Sequence, residues 1–139
     1  MRPTNDITGA IVDAAIEIHR TLGPGLLESA YEELMVRELC RRRLTVQRQL
    51  LVPITWKDEV IQSGFRLDLL VNQRVIVELK STERPAAIHA RQLLTYLRVM
   101  NLPIGLLINF GQYRLMDGVQ RIINNQAPED QVWRVQSDH

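Results

Sequence analysis

The chain has 139 residues, 45% hydrophobic and 24% charged, enough for one buried core and no separate substrate domain. Its net charge of +1 is not that of a dedicated basic DNA-binding module, and leaves nucleic acid neither supported nor excluded. One cysteine, Cys40, rules out an internal disulfide, and no His or Cys group has zinc-ligand spacing.

Residues 5–22 read as an amphipathic helix, with Ile7, Ile11, Ala14, Ile18 and Leu22 at helical spacing and Thr4, Asn5 and Asp6 as candidate caps. Gly23-Pro24-Gly25 breaks the chain, and a second helix follows over about 26–43. Its end carries Arg37, Arg41, Arg42 and Arg43, which read first as a solvated helix end opposing the dipole. The pattern then changes to period two, giving strands at about 45–56, 60–71 and 74–80, with a turn at Lys57-Asp58-Glu59. Pro85 opens a helix over about 86–100, and 104–110 is a short strand of buried type. Tyr113–Met116 and Arg121–Ile123 read as short edge strands around Asp117-Gly118, and the polar tail 124–139 reads as loose. The order predicts one α/β domain over 1–139, core about 5–123, with a mixed central sheet flanked by helices. The strand run is antiparallel, and the helix at 86–100 makes a parallel crossover. The first six residues lack the apolar core of a secretion signal, and no run approaches the roughly 20 apolar residues of a membrane span. The expected compartment is therefore the cytoplasm.

The chemistry concentrates in Phe65–Val71 and Val75–Lys80. Leu67, Leu69 and Val71 share one strand face, as do Val75, Val77 and Leu79. Joining the two faces needs Val71 opposite Val75 and Leu69 opposite Val77, hence a three-residue loop, Asn72 to Arg74. The other face then sets Asp68 beside Glu78 and Arg66 beside Lys80. Opposed like charges are destabilising. Either a salt lattice with Arg66 and Lys80 offsets them, or a hard divalent cation does so better. On the charge argument alone, Asp68→Ala should not lose stability. Glu28 and Tyr31 share a face of the second helix, and Gln92 and Tyr96 share one of the third, with His89 on that side. For His89 a helix-edge role is the plainer reading. Together these groups suggest polar side chains converging on the carboxylate pair.

Gly25-Leu26-Leu27-Glu28-Ser29-Ala30-Tyr31 resembles the signature of the GxxExxY proteins. His19–Pro24 before it, Val77-Glu78-Leu79-Lys80 after it and Gly105–Gly111 as a closing strand follow in the family's order. The resemblance spans roughly residues 7–123. That family is grouped with the PD-(D/E)XK nuclease superfamily, so the resemblance implies a restriction-endonuclease-like core and a Mg²⁺ or Mn²⁺ site. Asp68, Glu78 and Lys80 match the motif residues, and Glu28 matches an acid that the first core helix often contributes. Gln92–Tyr96 looks like the Q-x-x-x-Y element of RecB-like exonucleases. Leu67 stands where the motif proline is often found.

The implied activity is phosphodiester hydrolysis in DNA, ahead of RNA. Asp68, Glu78, Glu28 and the Leu79 carbonyl would be metal ligands, and Lys80 the charge that positions the nucleophile. Gln92, Tyr96 and Arg66 would orient the site or touch nucleic acid. The alternative is a catalytically idle nucleic-acid- or protein-binding module in a genome-maintenance or defence complex. A homo-oligomer or protein partner is compatible with both.

Overall fold

The computed structural model describes residues 2–134. Helices α1 (Thr4–Leu22) and α2 (Glu28–Arg41) precede strands β1 (Val46–Trp56), β2 (Glu59–Val71) and β3 (Val75–Lys80). Helix α3 (Ala87–Met100), β4 (Ile104–Asn109), a 3-10 turn (Leu115–Gly118) and β5 (Val119–Ile123) complete the order. The sheet runs β1-β2-β3-β4-β5 and is antiparallel except for β3 and β4, which α3 joins as a parallel crossover. This is the mixed, helix-flanked α/β sheet expected from the chain.

The two sheet faces bury different helices. Ile7, Ile11 and Ala14 of α1 and Met35 and Leu39 of α2 share a core with Leu69, Val71, Val77, Leu79 and Ile108. Leu93, Leu97 and Met100 of α3 pack on Leu70, Ile76 and Leu107 from the other side. The expected polar caps of α1 are not used. Pro3 stands at the cap position and its carbonyl accepts from Asp6 and Ile7, while Thr4 is buried and bonded to Arg74 and the Glu129 carbonyl.

Hairpin geometry follows the turn residues. Lys57 (φ 47°) and Asp58 (φ 70°) are both left-handed, as in a type I′ turn that matches strand twist. Asn72 (φ 50°) and Gln73 (φ 56°) turn the next hairpin, and Asn72 accepts from the Thr45 amide at 2.8 Å. The register is Val71↔Val75, Leu70↔Ile76 and Leu69↔Val77, so the three-residue loop has the parity that the apolar pattern demands.

The ladder between β2 and β3 stops there. Beyond Leu69 the strand β2 continues along β1, and β3 continues along β4 as far as Lys80↔Asn109. Arg66 is thus paired with Leu51 of β1 and not set opposite Lys80. Leu67 is fully buried but belongs with Val52 and Leu97 on the α3 side, apart from Leu69. In β1, Gln49 has φ 51° next to Asp68 in an otherwise continuous register, and the ribbon's register shift falls further on, between Val52 and Ile54.

Two further expectations change, and one holds. Tyr113–Met116 is not a strand: Tyr113 is 92% exposed, Leu115 is buried, and the 3-10 turn leads straight into β5. The tail is packed as far as Trp133. The buried Asn124 side chain donates to the Leu102 carbonyl at 3.2 Å, and Trp133 lies on the α3 core. Residues 135–139 of that tail lie outside the described residues. In the arginine group, Arg37 pairs with Glu33, and Arg42 with Glu17 and Glu38, the solvated helix-end arrangement.

Candidate active site

Where the β2–β3 ladder gives out, two carboxylates take over the missing backbone bonds. The Asp68 amide donates to Glu78 Oε2 at 3.2 Å, and the Leu79 amide donates to Asp68 Oδ2 at 2.8 Å. Asp68 and Glu78 are therefore cross-strand neighbours at a fork in the sheet. Glu78 and Lys80 alternate with Val77 and Leu79, which are buried under α1 and α2, so they face the α3 side.

Glu78 is only 8% exposed. Burial pushes its carboxyl up to about 9, and the hydrogen bond and charge of Asp68 add to this. The Asp68 N–H and the Lys80 ammonium pull it partly back. At neutral pH this favours the protonated form of Glu78.

Tyr96 comes near this pair from α3, with the exposed Gln92 beside its hydroxyl. Burial raises the Tyr96 hydroxyl above its ordinary value, the charges of Glu78 and Asp68 raise it further, and Gln92 lowers it. The Tyr96 ring stacks on Phe65 at 4.2 Å, which seats it at the edge of the fork. Half-buried Lys80 also borders a cleft of about 450 Å³, together with His89 at the start of α3. Arg66 is exposed and donates to the Gln49 carbonyl at 3.2 Å.

The GxxExxY-like segment behaves differently from its sequence reading. Tyr31 does not face the carboxylates. It is buried, stacked on Phe110 at 4.2 Å, and its hydroxyl donates to the Gly23 carbonyl and accepts from the Leu26 amide. It closes the Gly23–Leu26 turn. That turn meets the end of β3, where Ser81 donates to the Leu26 carbonyl at 2.7 Å. Glu28 begins α2 beside this contact, exposed and without a side-chain hydrogen bond among the described residues.

One helical turn further on lies a residue that sequence reading passed over. Glu32 is buried and accepts from Arg48 Nε at 2.9 Å and from the Gln49 side chain. The same Gln49 amide nitrogen lies 3.4 Å from Asp68 Oδ1. Gln49 is thus held at its side chain by Glu32 and at its carbonyl by Arg66, and reaches the site. Its left-handed backbone is the kind of outlier found at functional sites. The (i, i+4) spacing of Glu28 and Glu32 was the available signal.

The donor set fits a hard divalent ion in part. Two adjoining carboxylates that repel each other suit Mg²⁺, which takes one or two protein carboxylates and completes its shell with water and phosphate. Among the described residues no third Asp, Glu, His or Cys side chain joins them in a metal-holding group.

The five-stranded mixed sheet, its crossover helix and the forked strands are those of a restriction-endonuclease-like α/β domain. The family model of the PD-(D/E)XK nuclease superfamily matches residues 5–122, and the chain belongs to that superfamily. Membership supports a nuclease-type function, with nucleic acid as the implied class of partner; such nucleases usually use divalent metals. No curated protein matches the chain. Among solved structures, the crystal structure of SSO0001 is 18% identical, with a TM-score of 0.45 over 73% of this chain. The chain spans about half the length of that protein, 52%. Among the described residues no helix is long and apolar enough to cross a membrane.

Proposed function

We propose that the chain is a divalent-metal-dependent nuclease of the GxxExxY type that hydrolyses phosphodiester bonds, DNA ahead of RNA, in the cytoplasm. The observation that carries this reading is the Asp68–Glu78 pair bridging the fork, with Lys80 two residues on. Asp68 and Glu78 would hold Mg²⁺ or Mn²⁺, aided by the Leu79 carbonyl. Glu28 stands exposed at the start of α2, where it can act through water. When bound, the ion supplies positive charge against the phosphate and makes water a stronger nucleophile.

The chain's own groups do the rest. To serve as a ligand Glu78 would have to release to solvent the proton that burial and the facing Asp68 make it keep. Gln49 holds Asp68 in place through Oδ1. Lys80 orients the attacking water and stabilises charge growing on the phosphate oxygens. Tyr96, fixed against Phe65, and Gln92 direct the substrate backbone.

A second reading, a catalytically idle nucleic-acid- or protein-binding module, draws on the donor set, which among the described residues holds two carboxylates and no third. Calorimetry with Mn²⁺ and cleavage of a panel of single- and double-stranded oligonucleotides separate the two. Wild type should bind Mn²⁺ and cleave; Lys80→Ala should bind Mn²⁺ and not cleave; Asp68→Ala should do neither. Equal degradation by wild type and Lys80→Ala would overturn the nuclease reading. Nucleic-acid binding with no metal binding would establish the idle module.

A further inference from the structure

We propose that the cleft beside Lys80 is a subsite for one unpaired nucleotide of the substrate strand. This inference rests on the nuclease reading and extends it to a substrate class: single strands, frayed ends or extruded bases rather than intact duplex.

The position comes first. Across the parallel pair, Glu78 is matched with Leu107 and Lys80 with Asn109, and Leu107 is matched in turn with Gln120 of β5. Leu107, Asn109 and Gln120 all line the cleft. The cleft is therefore the next row of the same sheet face, with Lys80 as its border with the carboxylates. A strand whose scissile phosphate lies at Asp68 and Glu78 carries its neighbouring nucleotide over Leu107. Openings at the carboxyl ends of adjacent parallel strands are where such sheets receive ligands.

The cleft is also built rather than left over. The Asn109 side chain accepts from the Thr82 and Gly111 amides at 3.0 and 2.9 Å and donates to the Thr82 carbonyl at 2.9 Å. A Cβ on Gly111 would overlap the Thr82 backbone, and one on Gly118 would overlap the Asn109 carbonyl. Three segments are thereby locked together around a preformed space.

The lining has the two characters that a nucleotide needs. Pro85, Ala87, Ala90, Leu107 and Val119 supply apolar surface for a base. Lys80 and the first amides of α3, to which the cap residue Ala86 offers no side-chain acceptor, border the same space. That end of the helix carries partial positive charge and free donors, suited to a phosphate once a base fills the apolar part. His89, Gln120 and Asp117 line the cleft as well and can read base edges. The volume, about 450 Å³, falls in the usual range of roughly 300–1,000 Å³ for small-ligand sites. It admits one nucleotide and excludes a duplex, so a paired base must leave its stack to enter.

The test is backbone-amide NMR on the full chain with a deoxynucleoside 5′-monophosphate, with inorganic phosphate as the control. Saturable shifts at Ala87, Ala90, Leu107 and Gly118 are expected with the nucleotide and not with phosphate. Ala87→Trp fills the cleft from an exposed position and should keep the fold and Mn²⁺ binding. It should weaken single-stranded oligonucleotide binding about tenfold, the order of one lost base contact. No cleft shifts with the nucleotide, the same shifts with phosphate alone, or unchanged single-strand binding by Ala87→Trp would each overturn the subsite. Failure of wild type to bind Mn²⁺ or cleave anything would count against the nuclease reading instead, since the amide shifts are read without metal.

Discussion

Glu78 faces Asp68 in one small volume, and the protonation of Glu78 bears on stability. The folded value of Glu78, about 9, lies above its unfolded value of 4.5. Between these two values the folded chain binds more protons than the unfolded chain, so its stability falls as pH rises. The contribution is fully present below 4.5 and lost once pH passes about 9. Thermal melts of metal-free protein from pH 5 to 9 should therefore decline, and Glu78→Gln should flatten that decline. Mn²⁺ affinity should rise over the same range, because the cation competes with the proton.

The Asp68→Ala variant shows how far a charge argument carries at this scale. Opposed carboxylates alone predict no loss. The structure adds that Asp68 Oδ2 is the acceptor for the Leu79 amide, and that Glu78 already relieves the repulsion by keeping a proton. Removing Asp68 leaves a buried N–H without its partner, at a cost of about 1–3 kcal/mol. Urea denaturation of the metal-free proteins at pH 7 should show Asp68→Ala below wild type. The facing of Asp68 and Glu78 was legible from residue alternation. Glu32 and Gln49 were not, because their link to Asp68 depends on a left-handed residue inside a strand, which alternation does not register.

Among the elements, those with regular periods were readable and those tied by single long-range bonds were not. Three helices, the hairpin parity and the parallel crossover follow from spacing and loop length. Tyr113–Met116 went wrong because Leu115 enters the core from a 3-10 turn too short to show a period. The tail went wrong because Asn124 is fixed by the end of α3, far from it in sequence. The turn before β5 is also where packing is tightest. Gly118→Ala should destabilise by about 1–3 kcal/mol, since the added methyl meets the Asn109 backbone rather than a side chain that can move. Gly9→Ala, on an exposed helix face with open space around it, is the matched control and should be neutral or stabilising in a thermal melt.

For the molecule as a whole, helices cover both sheet faces, and the site occupies the gap that α3 leaves near the strand ends. Net charge of +1 and one lysine or arginine at the cleft imply few phosphate contacts. The slope of log K against log salt for single-stranded DNA should then be shallow, about −2 for roughly three contacts. Fluorescence anisotropy on Lys80-intact, metal-free protein measures it. A slope near −5 would move the grip to the Arg37–Arg43 helix end.

The fork makes two main-chain protons report on the ionic state of side chains. In an ordinary hairpin the amides of Asp68 and Leu79 would be held by opposing carbonyls and exchange with solvent only when strands separate. Here both are held by carboxylate oxygens. Their deuterium uptake should therefore quicken in Asp68→Ala at Leu79 and in Glu78→Ala at Asp68, while Val71 and Ile76, within the regular ladder, keep their native clock. Saturating Mn²⁺ should slow both amides together, because a cation that ties the two carboxylates also closes the gap between the strands. These two amides would thus report occupancy of the proposed metal site without any knowledge of the substrate.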